Sequence, residues 1–312
     1  MLLLLGILVL LALLYLAATL PRLPRRPLGP LAGWDYAHRG LWNSERPENS
    51  LPAFREAAAK GYGIELDVQL TADDQLYVFH DDNLARMTGI DGDIRRLNEP
   101  LLEPLRLADS DEPIPTLAQV LRAVDGRVPL IVELKTCSRI KRLCELSYEQ
   151  LAAYKGPWCM ESFDPRAVLW FRLHAPQVIR GQLADGLPGK GRRSALMYAL
   201  SLLLLNFLGR PDFISYNCDA DRNLSMALMR KEKPWLVAWT VRSQEQMDAL
   251  RGRYDLQIFE RFEAVRTAAG APAAEDPAER MPEDGVPETE TAEADADPSD
   301  GQPDENTNDP ET

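Results

Sequence analysis

At 312 residues the chain has room for one large domain or two small ones, and a 45% hydrophobic content suits a globular core. The net charge of −13 is unevenly spread: from Glu275 onward 15 acidic residues face one basic residue, Arg280, a net of −14, which leaves residues 1–274 at +1. The folded part therefore has no basic excess of the kind nucleic acid requires, and no nucleic-acid partner is expected.

Residues 2–20, "LLLLGILVLLALLYLAATL", carry no charge. That length is close to the ~20 residues a helix needs to cross a ~30 Å hydrocarbon core. A signal peptide has a basic start and a shorter apolar core, and "ATLPRLP" is a poor cleavage site, so an uncleaved anchor over 1–21 is expected. Arg22, Arg25 and Arg26 follow the span, and the positive-inside tendency places the remainder on the cytoplasmic side. The stretch 22–33, rich in Pro and Arg, reads as an extended, semi-rigid tether.

From 34 to 267 short apolar runs alternate with helical patterns. Strands are expected at 34–38, 64–68, 129–134, 157–161, 178–182, 212–216, 235–240 and 256–259. Helices are expected at 49–60, 116–124, 140–154, 165–174, 195–208, 222–232 and 243–250. Runs such as "PLIVEL" and "WLVAWT" suit parallel strands buried on both faces. Eight strands with intervening helices over this length point to an α/β fold, an eight-fold β/α (TIM-like) barrel. A doubly wound sheet would alternate in the same way, but no glycine-rich phosphate loop supports it. The link "TADDQ" is too short for a parallel crossover, so 76–80 returns as a hairpin arm or opens an excursion, and about 69–114 reads as an insertion on the barrel after the second strand. Cys137, Cys144, Cys159 and Cys218 lack metal-ligand spacing and read as small reduced thiols in the core. Residues 268–312 are rich in Ala, Glu, Asp, Pro and Thr, cannot bury enough surface to order themselves, and are expected to be a disordered acidic tail that solvates the protein; any partner of it is unknown.

Polar residues gather at the ends of the expected strands. His38 and Arg39 close the first. Glu65 and Asp67 on the second are spaced i, i+2, hence on one face. His80 and Asp81 follow the hairpin, and Glu133 and Lys135 repeat the i, i+2 spacing. Two buried carboxylates side by side resist ionisation, and a divalent cation relieves that cost. Glu65, Asp67 and Glu133 offer hard oxygen ligands, which suit Mg²⁺ or Ca²⁺. Beside such a cation His38 and His80 read as a general acid and base, and Arg39 and Lys135 as cations that neutralise a phosphate. His174, before a proline, reads as a helix-terminating residue.

These pieces carry a resemblance. The sequence is similar to the glycerophosphodiester phosphodiesterase family through "AHRG" (37–40), "PENS" (47–50), "ELDVQLTAD" (65–73), "VFHDDNLARMTG" (78–89), "IPTL" (114–117), "VELK" (132–135), "ESFDP" (161–165) and "AWTVRS" (238–243), in family order. The resemblance implies a barrel enzyme that hydrolyses glycerophosphodiesters to sn-glycerol 3-phosphate and an alcohol with a divalent metal. It implies metal ligation by Glu65, Asp67 and Glu133, acid/base roles for His38 and His80, and phosphate contacts from Arg39 and Lys135. The chain departs from the family in having Ser50 for Thr, Arg242 for Asn, and Phe259 and Glu260 for a Thr-Asp pair, which bears on substrate preference more than on the chemistry.

The segment 190–213 has an apolar core from Ala195 to Leu205 with basic flanks. It is too short to span, and a buried barrel helix competes with an interfacial helix over about 194–208 that dips into a membrane. The interfacial reading extends the substrate range to lysophospholipids, hence a lysophospholipase D-like activity. A non-catalytic membrane scaffold is the remaining alternative; five costly polar groups kept together argue against it.

Overall fold

The computed structural model describes residues 1–187, 194–232 and 234–265. Its elements, in chain order, are α1 (Leu2–Thr19), β1 (Asp35–His38), α2 (Leu51–Ala59), β2 (Gly63–Leu70), β3 (Leu76–Val78), the single turns α3 (Ala85–Thr88) and α4 (Glu99–Leu102), α5 (Leu117–Val124), β4 (Leu130–Leu134), α6 (Ile140–Ala152), β5 (Trp158–Ser162), α7 (Pro165–His174), β6 (Arg180–Ala184), α8 (Ala195–Ser201), α9 (Asn206–Gly209), β7 (Phe213–Asn217), α10 (Leu224–Glu232), β8 (Trp235–Val241), α11 (Gln244–Leu250) and β9 (Leu256–Phe259). Local chemistry sets many helix starts. Ser50, Thr116, Asp164, Ser194 and Ser243 each accept a backbone N–H of the first turn, and Thr116 with Gln119 forms a reciprocal capping box.

Eight strands pair in parallel in the order β1, β9, β8, β7, β6, β5, β4, β2, and the β1–β2 pairing closes the ring. The fold is the expected β/α barrel. β3 adds as an antiparallel arm on β2, with Val68 opposite Val78. The excursion that follows has a small core of its own, which includes Phe79, Leu84, Met87, Ile94 and Leu102.

Alternation along the strands divides the interior. Ile64, Leu66, Val68, Leu130, Val132 and Met160 face outward and pack with helix residues such as Phe54, Val120 and Phe171. Tyr36, Ile131, Cys159, Phe213, Val237 and Ile258 face inward and fill the lower half of the barrel. Two residues further along four of these strands or their ends, the inward position becomes ionisable: His38, Glu133, Glu161 and Glu260.

The stretch read as a semi-rigid tether lies on the barrel instead. Leu28 and Leu31 join the inward apolar cluster and close its floor. The Tyr36 hydroxyl donates to Leu31 O at 2.7 Å, Trp235 Nε1 donates to Arg26 O at 2.7 Å, and the Arg25 guanidinium stacks over the Trp235 ring. Two leucines that find a lipophilic floor outweigh the extended preference of the surrounding prolines.

α1 is 18 residues long and, by length and composition, apolar enough to cross a membrane; residues 1–14 are exposed. Its last turn docks on the barrel. Tyr15 Oη lies 2.6 Å from Ser225 Oγ, and Asn206 Nδ2 donates to Thr19 O at 2.9 Å. The expected helix 195–208 is broken: α8 and α9 are separated by a turn in which Leu203 takes φ +57° and is buried. Its apolar residues divide accordingly. Leu203 belongs to the core, whereas Leu196, Met197, Tyr198 and Phe207 are exposed. All four cysteines are free; Cys137 is half-buried and the other three are buried. His174 ends α7, stacked on Trp170. The expected acidic tail lies outside the described residues.

Candidate active site at the C-terminal rim of the barrel

A cavity of about 310 Å³ opens where the strands end, lined by His38, Arg39, Glu65, His80, Glu133, Glu161 and Glu260, with Trp42, Phe163 and Trp239 on its apolar side. Barrel strands present their functional side chains at this end.

The run "AHRG" builds one wall. β1 ends at His38, and Arg39 takes the left-handed conformation at φ +59°. That turns its amide N–H onto Glu65 Oε2 at 3.1 Å, while its guanidinium reaches Glu48 Oε1 at 2.8 Å and Asp67 Oδ2 at 3.4 Å. Gly40 follows at φ +81°, and a Cβ there would sit 2.9 Å from the Ala53 backbone, so only glycine fits. Asn49, also left-handed at φ +55°, donates through Nδ2 to Asp67 Oδ2 at 2.9 Å.

Glu65, Asp67 and Glu133 are buried, and one oxygen from each lies within 4.8 Å of the others. β2 and β4 pair so that Asp67 lies opposite Glu133, which brings the two i, i+2 motifs together. Lys135 Nζ bridges them, 2.9 Å from Glu133 Oε1 and 3.2 Å from Asp67 Oδ1. Burial pushes the Glu65 carboxyl well up, aided by Asp67, Glu133 and Glu161. Burial also lifts Glu133 to about 7. Asp67 resists its burial because Lys135, His80 and Arg39 hold it well below the usual carboxylate range. A fourth carboxylate, Glu161, lies opposite Glu133 on β5; burial and Glu133 raise it strongly, and its Oε2 has no hydrogen-bond partner. Such crowding of carboxylate oxygens fits a divalent cation, which relieves what Lys135 alone relieves only in part.

Each histidine is held through Nδ1 by a carboxylate. His38 Nδ1 donates to Glu260 Oε2 at 2.8 Å, and His80 Nδ1 donates to Asp81 Oδ1 at 2.7 Å, which leaves both Nε2 atoms as acceptors. His38 Nε2 lies 3.9 Å from Glu65 Oε2. Burial lowers the pKa of both rings, against the pull of Glu260 on His38 and of Asp67 on His80. The two walls are tied together: Arg86 bonds Asp81 and Glu48, and Glu48 holds Arg39. Arg242 Nε in turn donates to Glu260 Oε1 at 2.9 Å.

All seven residues named from the sequence therefore meet at this rim: His38, His80, Arg39, Lys135, Glu65, Asp67 and Glu133. Sequence reasoning missed Glu161, although it begins the quoted "ESFDP", and it missed that Glu260 and Asp81 orient the histidines. Glu260 and Arg242, both departures from the family pattern, form a pair with each other and act on His38.

Burial pushes the Glu260 carboxyl up, but the His38 ring N–H and the Arg242 guanidinium outweigh it and hold it at about 2, against an ordinary 4.5. On acidification the unfolded chain takes up this proton first. The stability contributed by the contact is thus complete above about pH 4.5 and is lost as pH falls toward 2. The stability gap between wild type and Glu260→Gln, measured by urea unfolding, is expected to shrink from about pH 5 to about pH 3.

The sequence model of the glycerophosphoryl diester phosphodiesterase family matches residues 38–254. The chain belongs to this family. A glycerophosphodiester phosphodiesterase from Caldanaerobacter subterraneus is 36% identical over 235 residues, which is 69% of this chain and 88% of that one. One from Bacillus altitudinis is 35% identical over 117 residues, 34% of this chain and 46% of that one. This chain spans less than half the length of that relative and of those it matches in Bacillus subtilis and Mycobacterium tuberculosis. Among solved structures, a glycerophosphodiester phosphodiesterase from Parabacteroides distasonis superposes with a TM-score of 0.58 at 26% identity, covering 72% of this chain and 92% of that one. A phosphodiesterase from Oleispira antarctica, solved with its product sn-glycerol-3-phosphate, superposes with a TM-score of 0.63 at 23% identity, covering 75% of this chain and 95% of that one.

Proposed function

We propose that this family member hydrolyses glycerophosphodiesters to sn-glycerol 3-phosphate and an alcohol, from a site held against a membrane. The observation that carries the reading is the meeting of two carboxylate-held histidines with the Glu65–Asp67–Glu133 cluster at one rim. The product found in the Oleispira antarctica enzyme supports the same substrate class.

Glu65, Asp67 and Glu133 would hold a divalent cation, Mg²⁺ or Ca²⁺, with Glu161 close by. When bound it supplies positive charge against the phosphate oxygens. Arg39 and Lys135 add the protein's own cations beside the same phosphate. One histidine takes a proton from the attacking water through Nε2 as the new P–O bond forms. The other, protonated, gives its proton to the alcohol oxygen as the old P–O bond breaks. Glu260 and Asp81 keep each ring turned so that Nε2 is the atom offered, and they stabilise the imidazolium form.

α1 would anchor the chain as a single-pass span over 2–20, with the barrel on the cytoplasmic side marked by Arg22, Arg25 and Arg26. The lysophospholipid reading is favoured by one further observation. Leu187, Leu196, Met197, Tyr198 and Leu224 are exposed on the connections that follow β6 and β7, the strand ends that face the rim. These side chains, rather than the buried Leu203, would meet the lipid. A double Leu196→Asp, Leu224→Asp variant is expected to lower choline release from lysophosphatidylcholine in vesicles by about tenfold while leaving glycerophosphocholine turnover unchanged. Equal losses on both substrates, or none on the lipid, would remove the lipid-directed reading. A pure scaffold would turn over neither.

A further inference from the structure

A second cavity, of about 330 Å³, adjoins the active site where β9 ends beside the loop that follows β1. The two cavities share Trp42 and Arg261 as a common wall. The apolar part of the second one is Leu41, the Trp42 ring and Phe262, and its charged part is Arg46, Arg261 and Glu263. A substituent of the rim-bound phosphate that passes Trp42 enters it.

The carboxylate of this pocket is already used, and the two arginines are not. Lys60 Nζ donates to Glu263 Oε1 at 2.5 Å. Arg46 is carried on a fixed turn, in which Asn43 Oδ1 accepts the backbone N–H groups of Glu45 and Arg46, each at 2.9 Å. Arg46 Nε donates to Leu41 O at 3.4 Å, and among the described residues its guanidinium has no carboxylate partner. Arg261 Nε lies 3.8 Å from Glu260 Oε1, but the oxygens of Glu260 already serve Arg242 at 2.9 Å and His38 at 2.8 Å. The Arg261 guanidinium stands instead over the Trp42 ring, 5.7 Å from its centre.

Arg261 also takes the left-handed conformation, at φ +67°. A residue with a Cβ enters that region at a cost in strain, and such strain gathers where a site needs a side chain held in one place. Arg39 and Asn49 share the conformation at this rim and offset it with bonds to Glu65 and Asp67. Among the described residues Arg261 makes no comparable bond. Trp42 Nε1, in the shared wall, is buried without a hydrogen-bond partner, which is costly for a donor. The pocket therefore offers two guanidinium groups without a carboxylate of their own and an indole N–H without an acceptor. An anion with several acceptor oxygens is the partner that arginine binds best.

Only one end of the substrate can supply that anion. The glycerol end is a neutral polyol in every glycerophosphodiester, whereas the alcohol end varies and can carry a further charge. An amine or quaternary ammonium there would meet like charge. We propose that this pocket is the subsite for the leaving alcohol and selects an alcohol bearing a second anionic group, a phosphate monoester. The inference rests on the glycerophosphodiester reading proposed above.

Glycerophosphoinositol and glycerophosphoinositol 4-phosphate differ by one phosphate and give the test, with glycerophosphocholine as a third substrate. The full chain in neutral detergent, with Mg²⁺ or Ca²⁺, is followed by sn-glycerol 3-phosphate release. Wild type is expected to favour the phosphorylated inositol substrate over its parent by about tenfold in kcat/KM. Arg46→Gln with Arg261→Gln is expected to bring that ratio to about one through a higher KM for the phosphorylated substrate. Equal kcat/KM in wild type, or a preference that survives the double variant, overturns the proposal. An equal loss on both inositol substrates in the double variant overturns it as well, because the arginines would then support the site as a whole. Turnover of glycerophosphocholine without the preference refutes the subsite alone. Turnover of none of the three refutes the glycerophosphodiester reading, and the subsite with it.

Discussion

His38→Ala and His80→Ala each lower kcat for glycerophosphocholine by roughly 10²–10⁴-fold, and His38→Ala also loses the stability of the Glu260 contact. The expectation follows from the geometry of the rings. Each is fixed by one carboxylate through Nδ1, at 2.8 Å from Glu260 and 2.7 Å from Asp81, so removing the ring removes a positioned proton carrier. Burial lowers both pKa values, which keeps the base neutral at lower pH. A histidine whose folded pKa is lowered gains its proton only below its ordinary value, so the acid limb of the kcat–pH profile is expected to lie below pH 6.5. Loss of the Glu260 partner removes a contact that raises the His38 pKa, and Glu260→Gln is expected to move that limb lower still if His38 is the base. Two alanine variants that both keep wild-type turnover would end the assignment.

Glu65→Gln and Glu133→Gln each weaken divalent-cation binding by on the order of 100-fold, read by calorimetry on the full chain and independently of turnover. Both carboxyls are raised by burial, Glu65 further by Asp67 and Glu133, and Glu133 further by Asp67, so in the absence of a cation at least one holds a proton near neutral pH. Cation binding is therefore expected to release that proton, and the apparent affinity rises with pH through about 7. In the Glu133→Gln variant this pH dependence flattens. Unchanged affinity in both variants would place the cation elsewhere.

Much of this rim was legible in the residues themselves. The i, i+2 spacing of Glu65 with Asp67 and of Glu133 with Lys135 identifies a face without any structure, because strand period is a local property. Barrel order followed from eight apolar runs separated by helical patterns, although β6 begins two residues later than its apolar run suggests, at Arg180. What was not legible depends on register and on distant contacts. Glu161 stands beside Glu133 only because β4 and β5 pair in that register. Glu260 meets His38 across 222 residues. Leu28 and Leu31 sit in a Pro- and Arg-rich stretch whose local preference is extended, and only the open barrel floor explains their burial. Leu203 likewise looks like any other leucine of an apolar run, and its turn inward follows from the break between α8 and α9.

The most direct test follows sn-glycerol 3-phosphate release from glycerophosphocholine by the full chain in neutral detergent, first with EDTA and then with Mg²⁺ or Ca²⁺ restored. Release that disappears with EDTA and returns with a divalent cation is the predicted result. Release that continues at the same rate in EDTA, or that is absent with every divalent cation in a folded sample, would contradict the account.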